Sequence, residues 1–512
     1  MVMTDVAIVG GGPSGLLLAT ELALAGVSPV VLERRTGPST ELRANGLVGL
    51  VVEALDRRGL RSRITGSDEH PVPMSTFAFG AIPLDMRTLP TNALHSLQVP
   101  QARLEEVIEA RARELGVEIR RGHAITGLRQ DSGSVTLDVD GPEGRYSLTA
   151  NYVAAADGSR STVRKLLGIG FPGITDERFV SRTGQVVVPA PIGNAETGEL
   201  EVPGVGLLRS QSFTRTETGM FSFVMSRPGV WRLGAWEWEG HGDGGEITLA
   251  DLRAAVHRVI GTAIPMEPPS DGPLNLRLLV GANSRIAERY RERRVFLLGD
   301  AAHVQSALGG PGLNLGLQDA LNLGWKLAAT VRGWAPAGLL DTYEAERRPV
   351  AQRVIEHSRA QLALLAPGPE VTALRGVLAE LLRDDTAVQR VSDRMSGAEI
   401  DYIPDDDTHP LIGRWLPDLP LRTAGVATRA AEVLRRARPL LLDLTGRGDL
   451  AAVAETWGGR VDVVRADTDE PRADAVLVRP DGFVAWAGGD PDALRAALAR
   501  WFGSPTRALH AA

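Results

Sequence analysis

Val6-Ala7-Ile8-Val9-Gly10-Gly11-Gly12-Pro13-Ser14-Gly15, followed by Pro29-Val30-Val31-Leu32-Glu33, decides the fold of this chain. An apolar run that stops at Gly-x-Gly-x-x-Gly and then turns helical is the fingerprint of a dinucleotide-binding βαβ unit. Gly10 permits the tight turn, Gly12 lets the backbone approach a pyrophosphate, and Gly15 lets helix and strand pack closely. The phosphates then meet free N–H groups at the positive end of the helix that begins at Pro13 and Ser14. Glu33 ends the second apolar run, where its carboxylate can accept hydrogen bonds from both hydroxyls of a ribose. Strand, glycines, amphipathic helix, strand and acid occur in the right order, so the turn is read as a binding site for an adenine dinucleotide.

With 512 residues the chain is too long for one core, and two or three domains are expected. A net charge of −7 with scattered basic residues argues against a nucleic-acid surface. There is no cysteine, which removes disulfides, thiolate nucleophiles, Fe–S clusters and dithiol relays together. Any redox chemistry must therefore come from a bound cofactor. No metal-ligand set is read, and Lys165 and Lys326 are the only lysines. The first strand starts within a few residues of Met1, no signal peptide is recognised, and no run approaches the ~20 apolar residues of a membrane span. A cytoplasmic protein without membrane or nucleic-acid partners, monomeric or homodimeric, is expected.

Residues 1–172 read as alternating strands and helices around a mostly parallel sheet, including a helix from about Glu105 to Leu115. From 173 to 280 the pattern changes to alternating strands. Phe221 and Phe223 share one strand face, as do Trp236 and Trp238. The α/β pattern returns over 281–395, with Arg294 to Asp300 as a buried strand and a long helix after Pro311. Asp405-Asp406-Asp407 marks a linker, and 396–512 carries its own strands and helices. The expected fold class is α/β: a discontinuous Rossmann-like domain (1–172 and 281–395), an inserted sheet-rich substrate domain (173–280), and a small C-terminal module.

Two further motifs select the cofactor. Tyr152-Val153-Ala154-Ala155-Ala156-Asp157-Gly158 is an apolar strand ending in Asp-Gly. Leu298-Gly299-Asp300-Ala301-Ala302-His303 is another strand ending in an acid, followed by Gly309-Gly310-Pro311-Gly312-Leu313-Asn314. Asp300 can hold a sugar-like hydroxyl. The helix start after it presents backbone N–H groups suited to a partly anionic ring edge such as that of a reduced flavin.

Together the Gly10/Gly12/Gly15, Asp157-Gly158 and Gly299-Asp300 motifs resemble those of the class A flavoprotein monooxygenases of the para-hydroxybenzoate hydroxylase fold. Leu42-Arg43-Ala44, Gln101-Ala102-Arg103-Leu104-Glu105 and Tyr343-Glu344-Ala345-Glu346-Arg347-Arg348-Pro349 add to the resemblance. Asp474-Ala475-Val476-Leu477-Val478-Arg479-Pro480-Asp481-Gly482 resembles the thioredoxin-like C-terminal module of the aromatic polyketide hydroxylases in that family. Without cysteines, this module is structural. The resemblance implies FAD, with NAD(P)H, NADPH favoured, as a transient reductant, because only one nucleotide-binding βαβ motif is present. It places Glu33 and Arg34 at the adenosine ribose, Arg43 and Gln101 toward the pyrophosphate and ribityl side, and the backbone at Ile125 near the adenine. Asp157 falls near the pyrophosphate and the visiting nicotinamide, Asp300 at the ribityl chain, and the Leu313-Asn314 backbone at the ring edge. His303 is read as stabilising its turn, and Tyr343, Glu344 and Glu346 as locking a helix onto the sheet.

The activity so implied is hydroxylation of a polycyclic aromatic substrate by O2 through a C4a-hydroperoxyflavin. Phe221, Phe223, Trp236 and Trp238 are candidates for an apolar wall over that substrate, one pair being equally readable as core. No catalytic acid or base is assigned. Where many relatives carry prolines this chain reads Val304-Gln305-Ser306-Ala307-Leu308, beside the expected reactive edge of the flavin. This leaves Baeyer–Villiger or oxygenation–dehydration chemistry as an alternative, and a non-catalytic FAD-binding subunit as another. A flavin halogenase is disfavoured, because no lysine precedes Lys165.

Overall fold

The computed structural model describes residues 2–39, 46–210, 213–238, 245–306, 310–404, 408–446, 448–469 and 471–506. Arg43, the Asp405–Asp407 linker and Ala307–Leu308 lie outside the described residues. The fully buried Val6-Ala7-Ile8 run lies in β1 (Val2–Val9), the middle strand of a parallel set. On one side come β2 (Pro29–Glu33) and β3 (Glu118–Arg121), on the other β4 (Gly144–Ala155) and β5 (Val295–Leu297), each parallel to its neighbour. The spatial order β3-β2-β1-β4-β5 reverses direction between β1 and β4. In such sheets the ligand crevice lies outside the carboxyl ends of the strands at this switch point. Antiparallel strands Ala124–Gln130 and Val135–Gly141 extend β4. Helix α1 (Pro13–Leu24) is buried along most of its length, and α2 (Gln101–Glu114) packs beside it.

The inserted domain is a six-stranded antiparallel sheet in the order Phe213–Arg215, Met220–Arg227, Val230–Glu237, Gly173–Val186, Arg277–Ile286, His303–Val304. Helix α3 (Leu249–Ile260) covers one face. It starts in a capping box between Thr248 and Asp251 and stops at left-handed Gly261. The pairing of Arg285 with Val304 and Ile286 with His303 stitches this sheet to the turn after β5. That turn differs from the sequence expectation: the strand ends at Leu297, and Gly299–Ala301 forms a 3-10 turn, because Gly299 adopts φ 59°.

Two long helices follow, α4 (Pro311–Val331) and α5 (Asp341–Leu365). The Tyr343 hydroxyl donates to the Leu297 carbonyl at 2.8 Å, and Glu344 accepts from the N–H groups of Tyr290 and Arg291 at 2.9 and 3.2 Å, so α5 is pinned to the sheet. The C-terminal module is a four-stranded mixed sheet with helices Gly448–Glu455 and Pro491–Phe502. Among the described residues no single helix is long and apolar enough to cross a membrane.

The module is fastened by a buried polar cluster. Arg479 reaches both Glu346 oxygens at 2.8 Å and Asp481 at 2.5 Å, while Lys326 meets Glu346 at 2.7 Å and the Trp325 indole N–H donates to Asp481 at 3.1 Å. Two cations face two carboxylates, so the charge closes within the cluster. Burial works against an ionised Glu346, yet Arg479 and Lys326 outweigh it and hold the carboxyl down to about 2. Removing one partner of such a set leaves an uncompensated buried charge. Arg479→Met is therefore expected to lower the unfolding free energy by about 3–5 kcal/mol in denaturant titrations. Because the folded-state pKa of Glu346 lies below its ordinary value, its contribution is complete above about pH 4.5 and is lost as pH falls toward 2. Unfolding of Glu346→Gln should accordingly show a shallower acid slope than the wild type across that window.

Candidate cofactor and substrate site

Three glycines shape the crevice as steric arithmetic. At Gly10, φ is 109° and a Cβ would stand 2.3 Å from the Ala156 carbonyl oxygen; at Gly15 it would stand 2.1 Å from the Gly10 oxygen. Both positions are closed by backbone. At Gly12 nothing lies within 4 Å of such a Cβ, so this face of the turn is open. Helix α1 has no acidic side chain in its first turn, which leaves its positive end without an internal counter-charge. Ser14 points away from the opening, into the seam between α1 and α4. A Cβ on Gly299 or Gly316 would meet its Oγ at 3.0 or 2.6 Å.

Glu33 sits at the carboxyl end of β2, accepting from the Gly11 N–H at 2.7 Å and the Arg35 N–H at 2.8 Å. Burial raises its pKa, but these two backbone donors and the Arg35 guanidinium at 3.1 Å bring the net position below the ordinary carboxylate value. Arg34, the neighbour named from sequence, is exposed. Gln101 opens α2 and donates to Glu105 at 2.8 Å. Ile125 is buried in the core of the parallel-sheet domain.

Asp157 lies at the end of β4. One oxygen caps the helix Thr162–Leu166, accepting from the N–H groups of Thr162 and Val163 at 2.7 and 3.1 Å; the other, Oδ1, is buried with no partner among the described residues. Burial raises its pKa. Arg164 ties this loop to the next motif, donating to the carbonyls of Ser159 at 2.9 Å and Ala301 at 2.8 Å while stacking on Phe171. Asp300 is exposed on the 3-10 turn. Beneath it the buried Asp319 accepts from the Gly299 N–H at 3.1 Å, pairs with His303 Nε2 at 2.7 Å and with Arg347 at 2.8 Å. His303 is thus held within the turn. At the start of α4, Pro311 occupies the first helical position after left-handed Gly310. Asn314 accepts from Val48 N–H at 3.1 Å and donates to the Gly310 carbonyl at 2.8 Å. Its side chain is spent on the turn.

The two aromatic pairs part company. Phe221 and Phe223 are buried beneath α3 with Trp231, Leu233 and Val259, stacked at 5.6 Å. They form the core of the inserted domain, which corrects their place in a substrate wall: α3 seals that face. Trp236 and Trp238 project from the opposite face toward Leu362 and Leu365 of α5, packing edge-on against Phe179 at 5.6 and 5.5 Å. The Trp236 indole N–H is buried without a partner among the described residues. The same strand face carries Arg232, half-buried, for which burial and the neighbouring Arg277 lower the pKa. Sequence reasoning passed over Arg232, although its alternation with Gly234 and Trp236 was visible. A separate cleft of about 440 Å³, lined by Trp334, Arg332 and Arg460, opens near the C-terminal end of α1, remote from the glycine turn.

Residues 3–358 match the family model described as "FAD binding domain", and residues 409–505 match "Aromatic-ring hydroxylase, C-terminal". The chain belongs to the FAD-dependent aromatic-ring hydroxylases. It is 41% identical to 12-dehydrotetracycline 5-monooxygenase/anhydrotetracycline 6-monooxygenase of Streptomyces rimosus subsp. rimosus, covering 98% of this chain and 99% of that protein. Identity to the rifampicin monooxygenase of Streptomyces venezuelae is 40%, over 98% and 100% of the two chains. The solved anhydrotetracycline hydroxylase of Streptomyces rimosus superposes with a TM-score of 0.87 at 39% identity, covering 99% of this chain and all of the other. The protein is an FAD-dependent monooxygenase.

The residues present fit FAD. Gly12 is open where a pyrophosphate must approach, the end of α1 lacks an internal anion, and Asp157 Oδ1 awaits a donor. Gly12→Ala is expected to leave thermal unfolding of the apoprotein within a few degrees of wild type while weakening FAD binding at least tenfold by flavin fluorescence. Gly15→Ala, whose Cβ would strike the Gly10 carbonyl, should lower the apoprotein's melting temperature as well.

Proposed function

We propose that this hydroxylase uses NAD(P)H, NADPH foremost, and O2 to oxygenate an electron-rich polycyclic phenol of the aromatic polyketide type in the bacterial cytoplasm. The observation that carries the substrate class is Trp236, half-buried on the sheet face turned toward α5, backed by the buried Phe179 and Trp238, with an indole N–H that has no partner among the described residues. The names of the tetracycline-modifying relatives point the same way.

FAD, when bound, supplies hydride acceptance, O2 activation and oxygen transfer. The chain does the rest. Glu33 would accept from the adenosine ribose hydroxyls, and the Gly10–Gly15 turn with the start of α1 would hold the pyrophosphate. The backbone of Leu313 and Asn314, braced by the Asn314 side chain, would face the electron-rich ring edge. Asp157 would offer its free oxygen to a ligand donor at the mouth of the crevice. Trp236, backed by the buried Trp238, would seat the flat substrate and exclude water from the reacting face, which suppresses the wasteful loss of reduced oxygen species. His303 stays committed to Asp319 and carries no proton in this scheme.

The test is stopped-flow absorbance with NADPH under nitrogen, then with oxygen, using anhydrotetracycline and a panel of related polyphenols. Substrate-accelerated flavin bleaching, followed by a product one oxygen atom heavier that carries label from 18O2, is the expected result. Flavin that stays oxidised with every donor, or that reoxidises without any product across the panel, would overturn the reading. Trp236→Ala should raise KM about tenfold, about 1.4 kcal/mol of lost contact. Phe221→Ala should instead destabilise the fold by about 3–5 kcal/mol.

A further inference from the structure

Gln305 stands between the strand His303–Val304 and the start of α4. Both polar atoms of its amide, Oε1 and Nε2, are buried without a hydrogen-bond partner among the described residues. The side chain lies against the first turn of α4: a Cβ on Gly312 would come within 3.2 Å of Nε2. The backbone next to it is held in place, since the Ser358 hydroxyl of α5 donates to the Ser306 carbonyl at 3.2 Å. Asn314, the other amide of this corner, has both ends paired. One amide therefore serves the fold and the other does not.

An unpartnered buried amide is destabilising, and leucine or methionine would fill the same volume without that cost. Sites that break a local rule of this kind are commonly ones kept for a ligand. The ligand must offer a donor and an acceptor side by side to satisfy both ends of an amide. The pyrimidine edge of an isoalloxazine ring does so, with carbonyls alternating around an N–H. We propose that Gln305 is a flavin-positioning residue, whose amide hydrogen-bonds to the ring of bound FAD at the start of α4. This rests on the reading that the ring edge meets the Leu313–Asn314 backbone at the start of α4. It is independent of which substrate is oxygenated.

Gln305→Leu removes both orphaned groups and retains the volume. The apoprotein should then melt at or above the wild-type temperature, while the FAD dissociation constant rises roughly 3- to 10-fold, the worth of about one neutral hydrogen bond. The visible flavin bands should shift as well. Gln305→Glu keeps the shape, adds a negative charge and removes the donor, so the flavin reduction potential should fall in a dye-coupled photoreduction titration. FAD affinity, flavin bands and potential all unchanged in the two variants would overturn the proposal, whatever their turnover. If Gln305→Leu lowers the apoprotein's melting temperature instead, the amide serves the fold and the proposal fails. None of these measurements uses NAD(P)H, O2 or an aromatic substrate, so failure of the hydroxylation reading would leave them intact.

Discussion

The contact on which the rest depends is backbone against backbone at the end of β1. With no Cβ at Gly10 or Gly15, the first turn of α1 comes down onto the Ala156 and Gly10 carbonyls, at separations that any side chain would block. That approach aims the positive end of α1 into the crevice between β1 and β4, where the sheet order reverses. The close seat of α1 on the sheet and the position of the crevice both depend on two missing methyl groups.

A second convergence completes the site from the far end of the chain. Gly299 and Gly316 close on Ser14, which brings α4 against α1 and sets its first turn opposite the glycine loop. Polar groups, not apolar packing alone, hold the turn between β5 and α4. Asp319 binds Gly299, His303 and Arg347 at once, and Arg164 bridges the Asp157 loop to Ala301. Buried charges paired in this way specify one geometry, since a slip leaves a charge unmet. Asp157 Oδ1, both ends of the Gln305 amide and the Trp236 indole N–H are among the buried polar atoms that have no partner among the described residues.

Much of the parallel-sheet domain was legible because its signals are local. A glycine's allowed φ, a proline at the first position of a helix and an apolar run long enough for a buried strand each report on a few neighbouring residues. The locking roles of Tyr343, Glu344 and Glu346 were legible in kind, yet the partners of Glu346 were not. Arg479 and Asp481 come from a module more than a hundred residues downstream, in a stretch whose family resemblance gave no sign of this pairing. The pairing of Arg35 with Glu33, two residues apart at the end of β2, was not read from the sequence.

By itself the sequence determined that a dinucleotide crevice forms at Gly10–Gly15, that an acid closes β2, and that an antiparallel domain interrupts the parallel one. These are properties of chirality, periodicity and helix ends, which need no distant partner. Only the tertiary structure decided which face of the inserted sheet meets α5 and which is sealed beneath α3. Alternation puts Phe221 with Phe223 and Trp236 with Trp238, but only the register of the two strands turns the pairs to opposite faces. The covering helix, a remote segment with its own apolar stripe, decides which face is sealed. The sequence marked the Gln305 segment as unusual beside the flavin edge; only folding shows that its amide is buried with both ends lacking a partner among the described residues.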